Sequence, residues 1–478
     1  MIPALLVALP ALLGVAALGS RSLRAGVGFL LSGAGLHLAA TVWLWGRPVS
    51  AAPGAVVGLD GTGLLFLSVV SLLFFVTALY SVPYLLHGTH HPQSAPHRFA
   101  PCLLWFLAAM TLVTVAQHFA LIWVAVEATT LASAPLVYFY RRREALEAAW
   151  KYLLICSVGI ALALLGVFFL GVAASAAGGT VPSLTLSELT RLAPGMSRPW
   201  LKAAFVFALV GYGTKMGLAP LHTWLPDTHS QSPSPVSALL SGALLNCALL
   251  AILRFLQVAV ASGDAGFARA LLLALGIVSM TIATAFMVGQ RDYKRLFAYS
   301  SVENMGVIAA GLGFGGGAIA GALLHVANHS LCKAGLFFTA GNLLRAFGTT
   351  EAEKVRGVFR RLPRTGGLLA ALVVALGGLP PFGPFMSEYT IFQSALSGPR
   401  SGLAIAFIGL LAVAFLGMAG AVFPMLQGAG DPGDNIRGDA ALSLIAPAMM
   451  TAGALVLGLW LPPFLKEAIA GAARALGA

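Results

Sequence analysis

Long apolar runs separated by short polar stretches dominate the hydrophobic pattern of this chain. A run of roughly 20 residues is long enough for a helix to cross a hydrocarbon layer about 30 Å thick. We expect fourteen such spans, at residues 2–19, 25–46, 63–86, 99–116, 119–140, 149–174, 200–220, 234–260, 268–289, 296–313, 317–344, 366–395, 402–426 and 441–464. These runs are too long and too uniformly apolar for barrel strands, so the pattern predicts an all-α polytopic membrane protein of about 14 transmembrane helices.

The composition agrees with a membrane location. Of 478 residues, 59% are hydrophobic and only 9% are charged. A soluble domain of this length needs more charged side chains to cover its surface. The net charge of +12 raises the alternative of nucleic-acid binding, which the placement of the charges disfavours.

Basic residues are distributed unevenly over the predicted loops. Seventeen Lys and Arg residues fall in the odd-numbered loops, among them Arg21, Lys294 and Arg437, against eight in the even-numbered loops and the tails, among them Arg254. Since positive loops stay in the cytoplasm, the odd loops are expected there. Both termini are then expected on the outer, periplasmic side of the inner (cytoplasmic) membrane.

Five ionisable residues lie inside predicted spans. They are Glu127, Lys215, Glu303, Lys333 and Glu388. A charge at this depth costs at least about 2.5–3.5 kcal/mol, and such residues usually mark ion or proton paths. The alternative is that they form structural ion pairs between helices. For Glu303 the structural and the functional interpretation are equally favoured.

A second polar pattern lies in "HVANHSLCK". His325, His329 and Lys333 are spaced four and four residues apart, so they share one helix face. Imidazole titrates near neutrality, which suits a proton relay. Metal binding is less favoured, because Cys332 lies on another face and the lysine repels a cation. The four cysteines have no paired spacing, and no dinucleotide or phosphate-binding motif appears, so we expect no metal, no cofactor and no catalytic centre in this chain.

Two spans contain helix-breaking residues. Gly217 and Pro220 interrupt the span that carries Lys215, and "GGLPPFGP" (377–384) precedes Glu388. Interrupted spans at matching places in two halves indicate a transport site between inverted repeats. The predicted organisation is residues 1–98 (helices 1–3), 99–260 (first five-helix repeat), 261–427 (second, inverted repeat) and 428–478 (helix 14). Glu127 is expected to approach Lys215, and separating that pair would release the lysine's proton.

The motifs that carry these residues resemble one family. "VAVEATTLASAPL", "GTKMGLAPLHTWLPDTHSQSPSPVSALLSG", "DYKRLFAYSSVENMG", "HVANHSLCKAGLFFTAGN" and "GGLPPFGPFMSE" are similar to the antiporter-like membrane subunits of respiratory complex I and of group 4 membrane-bound hydrogenases. Within that family, "EAAWKYLLICSVGIALALLG", "LLSGALLNCALLAILR" and "NHSLCKAGLFF" look most like component F of hydrogenase-4.

The resemblance implies a fold, a function and a set of residues. It implies fourteen helices in two inverted five-helix units that move protons, driven by redox chemistry in partner subunits. It assigns proton translocation to Glu127, Lys215, His325, His329, Lys333 and Glu388. As further candidates we add His222, Asp227, His229, Asn246 and Glu303. Asn246 stands where several complex I subunits have a lysine, and because an amide does not titrate, the central relay is expected to pass through water or His325.

Three functions share these motifs. The component F-like stretches favour a proton-translocating subunit of a redox-driven, hydrogenase-4-like oxidoreductase complex. The alternatives are a subunit of a multisubunit sodium/proton antiporter and a membrane module of an inorganic-carbon uptake complex. In each reading the partners are other subunits, protons or sodium ions, and the lipid bilayer, with no nucleic acid.

The charge distribution predicts that the loop of residues 345–364 faces the cytoplasm, since it carries six of the seventeen odd-loop charges. A Thr349→Cys variant should react with a membrane-impermeant maleimide only after the membrane has been opened. Labelling of that cysteine in intact cells would overturn the whole predicted topology.

Overall fold

The computed structural model describes residues 2–20, 22–87, 96–178, 183–428 and 438–478. Helices account for nearly all of these ranges, and between described residues β-structure is limited to three isolated bridges. The helices are α1 Ile2–Ser20, α2 Leu23–Trp45, α3 Gly61–His87, α4 Phe99–Val115, α5 Phe119–Val137, α6 Arg143–Gly178, α7 Leu186–Leu192, α8 Arg198–Met216, α9 Trp224–Gln231, α10 Ser234–Leu239, α11 Leu245–Ala261, α12 Ala265–Met287, α13 Tyr293–Phe314, α14 Gly317–Phe347, α15 Val358–Arg361, α16 Pro363–Leu376, α17 Gly383–Leu396, α18 Ser401–Leu426, α19 Ala441–Leu459 and α20 Pro463–Ala475.

The predicted all-helical membrane architecture is confirmed, with many helices of membrane-spanning character. Helical structure lies at every predicted run, and within the described ranges ten helical segments are long and apolar enough by themselves to cross a membrane. The remaining runs correspond to α8, α13, α14 and the pair α16/α17. Those helices carry the buried residues Lys215, Lys294, Lys333, His325 and His329 together with Glu303 and Glu388, which lowers their mean hydropathy.

The polar helices occupy the interior of the bundle. Nearly every residue of α13 and α14 is buried, whereas α1 and α18 turn large apolar side chains outward. Leu12 is 68% exposed and Leu416 is 65% exposed. Because hydrocarbon cannot hydrogen-bond a charged group, this arrangement places protein around the ionisable side chains and leaves apolar side chains for the bilayer.

The predicted break of the Lys215 span is present between α8 and α9. Gly217 closes α8 with φ +85°, in the left-handed region that suits glycine. The carbonyl of Thr214, freed by the break, accepts a hydrogen bond from Trp224 Nε1 at 2.8 Å. The amide of Ala219 donates to Ser279 Oγ at 2.9 Å. The interruption is therefore satisfied by protein groups, as a break at membrane depth requires.

The second predicted break separates α16 from α17. Helix α16 ends at Leu376, Gly378 adopts φ +67°, and α17 begins at Gly383. The intervening residues carry two adjacent prolines, Pro380 and Pro381, which cannot donate backbone hydrogen bonds and so end the helix.

Several sequence-based expectations need correction. Arg254, expected in an even loop, is buried within α11, and its two Nη atoms donate to Asp60 at 2.6 and 2.7 Å. Lys294, expected in an odd loop, is only 1% exposed near the start of α13. Both lie close enough to helix ends that the sequence alone assigns them to water. Arg21 and Arg437, which also entered the charge count, lie outside the described residues.

Helices α7 and α20 were not predicted. They are short, at 7 and 13 residues, so neither produces an apolar run of transmembrane length. The last predicted span, 441–464, also extends beyond α19, which ends at Leu459 before the start of α20.

Glycines allow two neighbouring helices to touch through their backbones. A Cβ at Gly306 on α13 would lie 2.8 Å from the carbonyl oxygen of Gly276 on α12. A Cβ at Gly276 would lie 2.6 Å from the amide nitrogen of Ala310. Small residues commonly permit such close packing between membrane helices.

We expect Gly306→Leu to destabilise the protein, because a large side chain there must separate α12 from α13, and overpacking costs about 1–3 kcal/mol or more. Gly409→Leu is the matched control, since a Cβ at Gly409 meets nothing within 4 Å. Thermal unfolding in detergent should show a lower Tm for Gly306→Leu only. Equal Tm values for the two variants would contradict the close backbone contact.

Candidate functional site

Lys215 lies fully buried at the end of α8, just before the first helix break. Its ammonium donates to Thr130 Oγ1 and to Tyr152 OH, each at 2.7 Å. The same nitrogen lies 4.5 Å from the centroid of the Tyr152 ring, in a cation–π contact. Two helices, α5 and α6, therefore hold the lysine through neutral groups.

Glu127 lies on α5, one turn before Thr130, and is partly exposed at the side of the bundle. Its carboxylate accepts a hydrogen bond from Thr130 Oγ1 at 3.2 Å and another from Ser157 Oγ at 3.0 Å. Among the ion pairs between described residues, none joins Glu127 to Lys215. The two residues are brought together as expected, but Thr130 stands between them.

The centre of the bundle contains a π-helical turn and an amide. Residues Leu240–Leu244 form this turn between α10 and α11, and such turns are frequent at functional sites. Asn246 Nδ2 donates to the carbonyl of Gly242, inside the turn, and to Ser330 Oγ on α14, both at 2.7 Å. Asn246 thus ties α11 to α14 and is not itself titratable.

His329 faces the same turn. Its Nε2 lies 3.3 Å from the carbonyl oxygen of Ser241, so this nitrogen carries the hydrogen. Its Nδ1 is buried with no hydrogen-bond partner in the described structure. In the neutral ring that nitrogen holds a lone pair, so a proton that reaches His329 would bind there.

Lys333, one turn further along α14, is fully buried beside α13. Its ammonium donates to the carbonyl of Phe297 at 3.0 Å and contacts Ser300 Oγ closely. Like Lys215, it is hydrogen-bonded to uncharged oxygens.

Glu303 and His325 are linked through one amide. Asn304 Nδ2 donates to Glu303 Oε2 at 2.5 Å, while Asn304 Oδ1 lies 3.0 Å from His325 Nε2. His325 Nδ1 lies 2.9 Å from Ser387 Oγ on α17. The amide oxygen accepts only, so it fixes the hydrogen of His325 on Nε2 and leaves Nδ1 toward the second broken helix.

Glu388 is 6% exposed in the first turns of α17. Its carboxylate lies against the backbone of the break, where a Cβ at Gly378 would overlap an oxygen of Glu388. Glycine is required there for both the open space and the positive φ.

The three remaining candidates have different surroundings. His222 lies in the connection between α8 and α9 with Nδ1 unpartnered in the described structure. Asp227 forms ion pairs with Lys151 at 2.9 Å and Arg295 at 2.7 Å, which favours a structural tie between α6, α9 and α13. His229 is fully buried, with neither ring nitrogen hydrogen-bonded to a described group.

Sequence reasoning missed the hydroxyl and amide groups that connect the ionisable ones. These are Thr130, Tyr152, Ser300, Asn304 and Ser387. A signal was present for three of them, since Thr130 lies one helical turn from Glu127, and Asn304 and Ser387 are sequence neighbours of Glu303 and Glu388.

Known proteins share both the sequence pattern and the fold. The family model described as NADH:quinone oxidoreductase/Mrp antiporter, TM, matches residues 116–416. A hydrogenase-4 component F homolog of Methylacidiphilum infernorum is 38% identical over 75% of this chain and 76% of its own. NADH-quinone oxidoreductase subunit N of Desulforudis audaxviator is 33% identical, covering 69% of this chain and 64% of its own.

Solved structures agree over almost the whole length. A chain of respiratory complex I from Thermus thermophilus superposes with a TM-score of 0.76 at 27% identity, covering 95% of this chain and 97% of its own. A chain of the archaeal membrane-bound sulfane sulfur reductase superposes with a TM-score of 0.88 at 22% identity, covering 99% and 97%. At 22% identity, the similarity to the sulfane sulfur reductase chain is evidence for a shared fold only.

We expect Thr130→Val to lower the Tm by several degrees, because the variant keeps the side-chain shape but removes a partner from a buried ammonium, a loss of about 1–3 kcal/mol. Thr129→Val is the control, since the Thr129 hydroxyl bonds only to Val126 O of its own helix. Thr130→Ser should restore most of the stability. Equal Tm values for the Thr130→Val and Thr129→Val proteins would mean that Lys215 does not depend on Thr130.

Proposed function

This chain belongs to the NADH:quinone oxidoreductase/Mrp antiporter family of membrane subunits, and we propose that it carries protons across the membrane within a redox-driven, hydrogenase-4-like complex. It is an antiporter-like subunit related to hydrogenase-4 and NADH-quinone oxidoreductase subunits. One observation carries the proposal: Lys215, His325, His329, Lys333 and Glu388 are buried, Glu127 is partly exposed, and hydroxyl or amide groups hydrogen-bond to several of them in both halves of the bundle. A redox reaction in partner subunits would supply the energy.

One step in the first half of the bundle takes place at Lys215. Its N–H donates to Thr130, and the hydroxyl of Thr130 donates to Glu127. A proton moving along this line converts an ammonium and a carboxylate into an amine and a carboxylic acid, with Thr130 exchanging one hydrogen for another. Protonation and deprotonation of Lys215 are thereby coupled to the charge of Glu127, which lies at the partly exposed side of the bundle.

The second step crosses the centre of the bundle. Asn246 cannot take a proton, but the unpartnered Nδ1 of His329 can. His329 precedes Lys333 by one helical turn, and Lys333 contacts the helix that bears Glu303 and Asn304. His325 then faces Ser387, the residue before Glu388, which makes Glu388 the proposed outlet.

Two inverted five-helix repeats, residues 99–260 and 261–427, would give this path its two halves. What supports the repeats is the matching position of the broken helices α8/α9 and α16/α17, each the fourth span of its unit. An odd number of spans per unit inverts the second relative to the first. With flanking segments 1–98 and 428–478, this arrangement would give fourteen spans and put both termini on one side of the inner membrane, which the charges of the loops would make the outer side.

We expect Lys215→Ala and Glu127→Ala to reduce redox-driven proton uptake into inverted vesicles more than about tenfold, the factor that corresponds to 1.4 kcal/mol. Each removes one end of the hydrogen-bonded line through Thr130. Lys202→Ala is the control, because Lys202 is partly exposed and lies 3.6 Å from Asp264 near the helix ends. Full uptake by either variant, at normal abundance of the complex, would exclude this pair from the mechanism. Uptake that requires Na⁺ would favour sodium/proton antiport instead.

A further inference from the structure

A polar cavity of about 660 Å³ opens at the end of the bundle that carries the odd-numbered loops. Its walls come from α3, α9, α10, α13, α14 and the start of α19, and include Tyr80, Ser234, Lys294, Asn342, Arg345 and Ser443. The volume far exceeds that of one water molecule, and polar walls favour filling by water. Ser234 Oγ is buried there without a partner among the described groups, which is the condition that a bound water relieves.

Lys294 forms the inner wall of this cavity. Its ammonium donates to the carbonyls of Ser230 and Ser232 at 3.3 and 2.6 Å. An ammonium has three N–H donors, so one remains for cavity water. Lys294 contacts no carboxylate within ion-pair distance in the described part of the chain.

His229 is the residue before Ser230, whose carbonyl accepts a hydrogen bond from Lys294. Its ring stacks on Phe337 with centroids 4.8 Å apart and planes 15° apart, and neither nitrogen has a hydrogen-bond partner in the described structure. Burying an imidazole without hydrogen bonds costs free energy, so we expect a proton or a water molecule to bind His229.

His229 also extends the titratable face of α14. His325, His329 and Lys333 are spaced four residues apart, and Phe337 is the next position on that face. Since His229 stacks on Phe337, it lies at the end of the same line. The line therefore runs from His325 to His229 and, through Lys294, meets the cavity.

We propose that this cavity is the inlet for protons on the odd-loop side, with Lys294 and His229 as its first two carriers. A neutral Lys294 amine takes a proton from a hydronium ion in the cavity, and the ammonium passes it to His229, whose imidazolium delivers it to a neutral Lys333. The first transfer breaks an O–H bond, forms an N–H bond and leaves a water molecule, and each later transfer breaks one N–H bond and forms another. The inlet rests on the proposed proton function of the chain.

The first test measures redox-driven proton uptake by the assembled complex in inverted vesicles. Lys294→Arg keeps the positive charge and the bonds to the two carbonyls, but arginine does not release a proton. We expect it to lower uptake at least tenfold, whereas a lysine that only caps the carbonyls would tolerate arginine. His229→Gln should give the same loss.

The matched control for the histidine is His37→Gln. His37 is equally buried, but both of its nitrogens are bonded, to Ser71 Oγ and Thr111 Oγ1 at 2.9 Å, and it lies outside the line. Uptake by His37→Gln should stay near the wild-type rate. Normal uptake by Lys294→Arg and His229→Gln, with loss in Lys215→Ala, would overturn the inlet and leave the proposed function standing. A wild-type complex that takes up no protons would overturn the function itself.

A second test measures chemical labelling instead of transport and does not use the Lys294 and His229 variants. In a Cys102→Ala background, Ser234→Cys should react with a small hydrophilic thiol reagent in the purified protein. Ser241→Cys is the control, because Ser241 is buried at the centre and bonded to Ser301. Failure of Ser234→Cys to react faster than Ser241→Cys would show that water does not reach the cavity, and would overturn the inlet even where Lys294 variants fail to assemble.

Discussion

The constraint on which this structure depends is that a buried ammonium or carboxylate must be surrounded by protein rather than by lipid. Lys215 and Lys333 are fully buried and hydrogen-bonded on several sides. Meeting that need places α13 and α14 inside the bundle, turns the polar faces of α8 and α17 inward, and leaves apolar helices such as α1 and α18 to face outward. The ionisable residues are thus gathered in the interior of the bundle, which is otherwise apolar.

The helix breaks obey the same constraint. Interrupting α8 frees backbone groups that hydrocarbon cannot satisfy, and Trp224 and Ser279 supply their hydrogen bonds. At the second break, the absence of a side chain on Gly378 leaves the space that the Glu388 carboxylate fills. A break and a buried charge therefore share one polar environment, which explains why each interrupted helix also carries an ionisable residue.

The sequence was sufficient for features that depend on one helix at a time. Hydropathy located the helical runs, Gly217 and Pro220 located a break, and four-residue spacing placed His325, His329 and Lys333 on one face. The sequence did not predict contacts between helices. These depend on how each helix is rotated about its axis and on its depth in the membrane, and the pattern of a single span determines neither. Thr130 therefore went unnoticed between Lys215 and Glu127, and Lys294 and Arg254, both near helix ends, were assigned to water although they are buried.

Two arginines and two lysines of the bundle bind different kinds of groups. The arginines bind carboxylates and keep their charge, whereas the surroundings of the lysines suit a side chain whose charge changes. Arg254 binds Asp60 through two direct hydrogen bonds, and Arg295 binds Asp227 directly. Arg254 is buried, and breaking a buried pair costs about 3–5 kcal/mol, so its contact with Asp60 holds one charge state; the Arg295–Asp227 pair is partly exposed. Lys215 and Lys333 bind hydroxyl and carbonyl oxygens instead. A hydroxyl donates as readily as it accepts, so Thr130 and Tyr152 can turn to donate to a neutral amine. Lysines held by neutral groups can therefore lose and regain a proton without the bundle losing its hydrogen bonds, which is the property a proton carrier needs and an arginine–carboxylate pair lacks.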